Sequence, residues 1–214
     1  MSIQKNNSES ILKILTQHAD TANNMEKTYI EDEKFENIDF SQKTLPEAEY
    51  DNCQFVNCDF SNSDLFKVVF SECEFNRCNL SMAKLEKTAV KDIQFKECKL
   101  LGVHFETCDE FLFAVRFENC LMNLASFYKR KLKKTKFVNC SLQEADFAEA
   151  DLGSSVFDNC DLAHAIFQQT NLEKADFRTS YNYSIDPELN KIKKAKFSIP
   201  SVTGLLDKYD IEIE

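Results

Sequence analysis

Glycine and proline are nearly missing, with three of each in 214 residues, where average usage gives about 15 and 11. That shortage excludes a conventional all-β fold built on Gly-rich hairpins. Tryptophan is absent while phenylalanine occurs 19 times, a skew that points to one slot filled repeatedly by one residue type. No apolar run approaches the roughly 20 residues of a membrane span; the longest is Phe111–Val115. The apolar stretch Ile11–Leu15 is broken by Lys13 and no small-residue cleavage site follows it, so neither a signal peptide nor a membrane partner is expected. Basic residues are outnumbered, 26 against 36 acidic, for a formal charge of −10. A chain of that balance does not bind nucleic acid through its net charge. The nine cysteines are odd in number and lack zinc-type pairing, which favours reduced thiols in a cytoplasmic protein.

What the sequence does contain is a repeat. From residue 35 a large apolar residue returns every five positions, as in Phe35, Phe40, Leu45, Tyr50, Phe55 and Phe60, as far as Phe105. The register slips by two and resumes at Leu112, Phe117, Met122 and Phe127, on to Phe177. A period of five fits neither a helix at 3.6 nor a strand at 2. It fits a chain that turns a corner every five residues with one side chain per side pointing inward. Four sides make a coil of twenty, and the twenty-residue columns support this independently. The first column is Phe35, Phe55, Phe75, Phe95, Phe117, Phe137, Phe157, Phe177 and Phe197. The second runs from Phe40, the third from Leu45 and the fourth from Tyr50 through Phe70, Val90, Leu112 and Leu132 to Ile192.

The residue two before each central one is usually small, for example Cys58, Cys78, Cys98, Cys120, Cys140 and Cys160 on the second side, or Ala145, Ala150 and Ala165 elsewhere. An inward slot beside a large ring has room for little more. Asn57, Asn119, Asn139 and Asn159 recur two after the Phe column. Asparagine tolerates corner dihedrals and its amide can ladder between coils, which accounts for many turns made with three glycines.

Ala145-Asp146-Phe147, Ala150-Asp151-Leu152, Cys160-Asp161-Leu162 and Ala175-Asp176-Phe177 resemble the Ala-(Asp/Asn)-Leu-x-x unit of pentapeptide repeat proteins, and the likeness covers roughly residues 33–198. The resemblance implies an all-β fold, a right-handed quadrilateral parallel β-helix. At about 4.8 Å per coil, some eight coils make a rod roughly 40 Å long. The tail, with Ile185-Asp186-Pro187, Ala195-Lys196-Phe197, Leu205-Leu206 and Ile211-Glu212-Ile213, resembles the ending of the Qnr quinolone-resistance proteins and their MfpA-like relatives. That second resemblance implies a short C-terminal helix and a strand that make a two-fold homodimer, and binding to a type II topoisomerase by an acidic, DNA-like rod. The sizeable loops of the better-known resistance proteins have no counterpart here; two extra residues within 106–111 are the whole interruption.

Three segments follow: an N-terminal extension, 1–32; the repeats, 33–198; and a dimerisation segment, 199–214. In the first, Ile11, Leu15, His18, Ala22, Met25 and Tyr29 are spaced as an amphipathic helix over 8–29. It reads either as a cap on the open end of the rod or as a partner-binding arm. In the last, Leu205, Leu206, Tyr209, Ile211 and Ile213 have no coil to cover them and are the candidate dimer contact.

No catalytic, cofactor or metal site is expected. His18, His104 and His164 are scattered, and a line of cysteines on one wall does not converge on a tetrahedral ion. Without a cleft, the aspartates that precede central residues are not general acid–base pairs. They are read as outward-pointing, either as a solvated face or as an acidic partner surface made of Asp39, Asp59, Asp64, Asp146, Asp151, Asp161 and Asp176. A basic cluster, Lys129, Arg130, Lys131, Lys133, Lys134 and Lys136, interrupts that surface and is read as a solvated corner, with a site for an acidic partner as the second reading. Cys108, in the interruption, is expected to be the most reactive thiol. Two functional readings stand: a topoisomerase-binding DNA mimic, and a β-helical scaffold with an unrelated partner.

Overall fold

A computed structural model describes residues 28–41, 45 and 47–213. The chain winds as a right-handed parallel β-solenoid with four sides per coil. Two sides carry regular strands. On the first, β2 (Lys34–Glu36), β4 (Gln54–Val56), β6 (Glu74–Asn76), β8 (Ile93–Lys96), β9 (Val115–Glu118), β10 (Lys136–Val138) and β11 (Val156–Asp158) form one seven-stranded sheet. On the fourth, β1 (Thr28–Glu31), β3 (Ala48–Asp51), β5 (Val69–Ser71) and β7 (Ala89–Lys91) form another. The second and third sides are held by single parallel bridges such as Asp39↔Asp59 and Asp64↔Lys84. The register is that of the columns: Phe35 lies on Phe55, Phe55 on Phe75, Phe75 on Phe95, and Phe95 on Phe117 across the slip.

Each side uses its five residues identically. The central side chain and the small one two before it are buried, and the other three face out. The corner falls two after the centre, where φ is +50° to +62° at residue after residue. Asn57, Asn119, Asn139 and Asn159 take it as expected, and Asn139 and Asn159 donate through Nδ2 to the Oδ1 of the asparagine one coil before at 3.0 and 2.9 Å. Lys67, Glu72, Arg77 and Met82 take it too, while only one glycine does, Gly102. The left-handed region costs an L-residue about 1–2 kcal/mol, so these corners are held by burial and coil-to-coil bonding. Each inward ring contributes roughly 1.5–3 kcal/mol. The nine phenylalanines of the first column stack along the rod at 4.7 to 5.5 Å between centroids.

Three features differ from expectation. The described coils already include Thr28–Glu31, where β1 pairs with β3 and sets Ile30 beneath Tyr50. The helix expected over 8–29 lies outside the described residues except for Thr28 and Tyr29, which are strand. The C-terminal helix is 3-10 in form, Ile199–Leu205 followed by Asp207–Tyr209, and 210–213 form no strand in this single chain.

The third difference is the interruption. Asp109 still pairs as Ala89 does one coil before, its N–H donating to the Thr88 carbonyl at 2.9 Å. The two extra residues are extruded after it, and Ile93↔Val115 restores register. Leu112, assigned inward by the five-residue spacing, is therefore outside, 62% exposed with φ +59°. Phe113 turns in behind it and packs edge-on to Phe105 at 6.3 Å. Cys108 precedes the extrusion and keeps the small inward slot, so it is buried like the other eight cysteines, and its place in the interruption gives it no exposure that would make it the most reactive. Burial pushes its thiol up to about 12.

Candidate interaction surface

All seven predicted aspartates do the same local job. Each sits one before a central residue and accepts, through Oδ1, the backbone N–H two residues on: Asp39 from Ser41, Asp59 from Ser61, Asp64 from Phe66, Asp146 from Ala148, Asp151 from Gly153, Asp161 from Ala163 and Asp176 from Arg178, at 2.8 to 3.3 Å. These are Asx turns. Asn79 and Asn171 occupy the same slot and accept from Ser81 and Glu173. The slot selects an oxygen acceptor, and the charge is incidental to the turn. The Asp/Asn interchange in the repeat unit is the sequence signal for this turn.

The rod distributes these carboxylates over all four sides. Asp39 and Asp59 are neighbours on the second side, with Asp161 farther along the same row. Asp64 and Asp146 are on the third side, Asp151 on the fourth and Asp176 on the first. Their surroundings differ. The Asp176 carboxyl is held below its ordinary range by hydrogen bonds from Arg178, with Lys196 at 3.6 Å. At Asp161 partial burial works upward, but hydrogen bonds from Gln143 and Asn182 outweigh it and the carboxyl is again low. Asp151 pairs with Lys133 at 3.1 Å.

Net acidity is likewise uneven. Among described residues the second side sets Asp39, Asp59, Glu144 and Asp161 against one cation, Lys99. The first side alternates signs in close pairs, such as Lys34–Glu36 at 3.0 Å and Lys96–Glu74 at 3.3 Å. The basic cluster is split. Lys131, Lys133 and Lys134 are exposed on the fourth side, but Arg130 is buried, which corrects its reading as part of a solvated corner.

Arg130 holds the inward slot occupied by Thr88 and Thr170 in other coils. Its Nε donates to the Phe105 carbonyl at 2.7 Å, as the Thr88 hydroxyl does to that of Leu65 at 2.7 Å. Its second nitrogen donates to the carbonyls of Glu106 and Cys108 beside the extruded residues. The guanidinium lies over the Phe113 ring at 4.9 Å. One long donor thus serves three carbonyls around the interruption, of which that of Phe105 also accepts from the Cys108 N–H at 3.1 Å.

A family model described as the pentapeptide repeat region matches residues 48–110, 68–147 and 110–197. The chain belongs to the pentapeptide repeat family. No curated protein sequence matches it. Among solved structures, full-length QnrB1, a plasmid-mediated fluoroquinolone resistance protein, is 18% identical over 86% of this chain and 100% of its own, with a TM-score of 0.38. HetL, a pentapeptide repeat protein involved in heterocyst differentiation regulation in the cyanobacterium Nostoc, is 16% identical over 87% and 93%, with a TM-score of 0.34. Rfr23 from the cyanobacterium Cyanothece is 17% identical over 50% and 89%, with a TM-score of 0.25.

The inward slots of this pentapeptide repeat protein hold its chemistry out of reach. Cysteine thiols are spent on backbone: those of Cys78, Cys98 and Cys160 donate to the carbonyls of Phe55, Phe75 and Phe137 at 3.2 to 3.4 Å. No group of three or more potential metal ligands occurs among the described residues. His104 and His164 are exposed, and the His104 ring meets Glu106 at 2.7 Å. No helix among the described residues is long and apolar enough to cross a membrane.

At the far end the tail folds back on the last coil. The Ile185 N–H donates to the Gly204 carbonyl at 2.9 Å. Lys208 is clasped by Asp186 at 2.7 Å and Glu188 at 2.8 Å. Of the predicted dimer residues, Leu205 is half-buried against the core and Leu206 is half-buried, while Tyr209, Ile211 and Ile213 are 50 to 56% exposed.

Proposed function

We propose that this protein is a non-enzymatic binding rod whose partner is a type II topoisomerase, DNA gyrase or topoisomerase IV, engaged at its positively charged DNA-binding surface. The supporting observation is the row of carboxylates held in fixed positions by Asx turns on the second and third sides: Asp39, Asp59 and Asp161 on one, Asp64 and Asp146 on the other. Asp151 and Asp176 flank that surface on the remaining sides, each beside a cation. The tail resemblance supports both the partner and a homodimer made by Leu205, Leu206, Tyr209, Ile211 and Ile213. Duplex DNA presents about one charge per 1.7 Å, and this rod presents fewer, so it binds more weakly than duplex DNA of its length.

The test is supercoiling by gyrase from the protein's own cell, with and without a fluoroquinolone. Asp39, Asp59, Asp64, Asp146 and Asp161 are changed together to Asn, which keeps the turn acceptor and removes the charge. Micromolar wild-type protein inhibits or protects gyrase, and the Asn variant is folded but weaker. If micromolar wild-type protein neither inhibits gyrase nor rescues it from the drug, the topoisomerase reading is wrong and the scaffold reading stands.

A further inference from the structure

The fourth side is unlike the other three. Its centres Ile30, Tyr50, Phe70 and Val90 lie before the interruption and Leu132, Leu152, Leu172 and Ile192 after it, so the extruded residues mark its midpoint. Toward the N-terminal end its outward residues are mostly acidic: Glu31, Asp32, Glu49, Asp51, Glu72 and Asp92, while Asp109 and Glu110 stand at the midpoint next to the extruded pair. Toward the C-terminal end they are basic: Lys131, Lys134, Lys174, Lys191, Lys193 and Lys194. Of these residues Asp92 alone has an ion-pair partner among the described residues, Arg116. The exceptions to the pattern are Lys91 below, and Asp151 and Glu173 above, with Asp151 already paired to Lys133. At the midpoint Phe111 and Leu112 stand out of the rod, 68% and 62% exposed. Beside them a groove of about 220 Å³ runs between Phe113, Ala114 and Lys131.

A strip with opposite charge at its two ends and an apolar centre is complementary to itself after a half-turn about that centre. We propose that the fourth side is a lateral interface at which two copies of this chain pair antiparallel about a two-fold axis at Phe111–Leu112. The half-turn sets the acidic end of each copy, Glu31 and Asp32, on the basic end of the other, Lys191, Lys193 and Lys194, and brings the two Phe111–Leu112 pairs together with Asp109 and Glu110 of both copies beside them, as an isologous contact requires. An exposed Phe–Leu pair in a surface otherwise charged is the kind of patch that marks an interaction site. The strip is roughly 40 Å long, at about 4.8 Å per coil. Its width is on the order of 15 Å for five extended residues. Two such strips bury about 1,200 Å² in total, the lower end of specific interfaces, so pairing is weak and governed by charge. This contact is separate from the end-to-end dimer of the tail and leaves the second side, opposite the fourth, facing outward on both copies.

The test uses the full chain at tens of micromolar, with sedimentation and the cross-sectional radius from solution scattering. At about 20 mM salt the wild type shows the cross-section of two rods side by side. At about 300 mM salt self-association falls roughly tenfold or more, because exposed charges are screened. Phe111→Ser with Leu112→Ser weakens pairing at low salt. One chain carries Glu31→Lys, Asp32→Lys and Glu49→Lys; another carries Lys191→Glu, Lys193→Glu and Lys194→Glu. Each fails to pair with itself, and a 1:1 mixture pairs again. A single-rod cross-section for the wild type at low salt overturns the proposal, including a longer rod of single width. So does lateral pairing by either reversed chain alone, or a mixture of folded reversed chains that does not associate. Should a reversed chain fail to fold, the Phe111→Ser, Leu112→Ser variant decides: unchanged pairing overturns the proposal. None of these outcomes bears on topoisomerase binding by the second and third sides.

Discussion

Phe137 shows what an inward residue contributes. It is fully buried and stacks on Phe157 at 4.7 Å and on Phe117 at 5.3 Å. Phe137→Ala is expected to cost about 3–5 kcal/mol in denaturant unfolding, as aromatic truncations in cores do. Arg130 makes the complementary case for a polar residue. Arg130→Leu keeps the bulk but leaves the carbonyls of Phe105, Glu106 and Cys108 without their charged donor. The Phe105 carbonyl keeps the Cys108 N–H, so at about 1–3 kcal/mol for each of the two groups left unmade the loss is expected to reach roughly 2 kcal/mol or more by the same measurement. Changing Lys131 to Leu, on the exposed side of the same turn, is expected to change stability by less than about 0.5 kcal/mol. The thiols supply a third expectation. All nine are buried, so a thiol reagent labels none rapidly until denaturant is added, and Cys108 is no faster than Cys78. Prompt labelling of Cys108 in the native protein would show that the extruded turn opens.

The C-terminal segment is the element whose attachment is most easily broken. Gly204 is buried, and a Cβ there would lie 2.0 Å from the Tyr183 carbonyl oxygen. That oxygen belongs to the backbone, which cannot move aside as a side chain would. Gly204→Ala is therefore expected to detach 199–209, seen as loss of amide exchange protection there with the coils before residue 180 unchanged. Charge holds the same segment. A hydrogen bond from Lys208 holds the Asp186 and Glu188 carboxyls below their ordinary range. Carboxyls depressed in the folded state stabilise it above their unfolded pKa of about 4 and lose that contribution as pH falls through the folded value. The clasp is expected to hold at pH 5 and to loosen only as pH falls below the ordinary carboxylate range, read as protection factors over 199–209. Equal protection at pH 5 and below that range would show that the apolar contacts of Leu205 suffice.

For the whole molecule, the proposed function depends on how charge is arranged around the rod. A net −10 suggests an evenly acidic cylinder, but the first side alternates signs and the fourth reverses sign at its midpoint. A partner that reads the rod as DNA has the second and third sides available to it. Binding through them is expected to weaken as salt rises from about 50 to 300 mM, measured as the concentration that half-inhibits supercoiling. Affinity that does not change with salt would point to an apolar contact in place of a carboxylate one.

The period of five, the four-sided coil, the phenylalanine column and the small inward slot were all legible in the residues. Each is a local steric demand repeated many times, and repetition makes a weak preference unmistakable. The asparagine corners were legible for the same reason. The roles of individual outward and interrupting residues were not. Whether Cys108 and Leu112 are in or out depends on which peptide extrudes the two extra residues, and that is decided by which coil-to-coil hydrogen bonds survive on either side. Arg130 reads as one more surface base until the carbonyls of Phe105, Glu106 and Cys108, more than twenty residues away, are brought beneath it. The aspartates read as free charges until each is seen bonded to the N–H two residues on. Tertiary structure decided these because each depends on a specific partner set by winding, whereas a periodic pattern records only what every coil has in common.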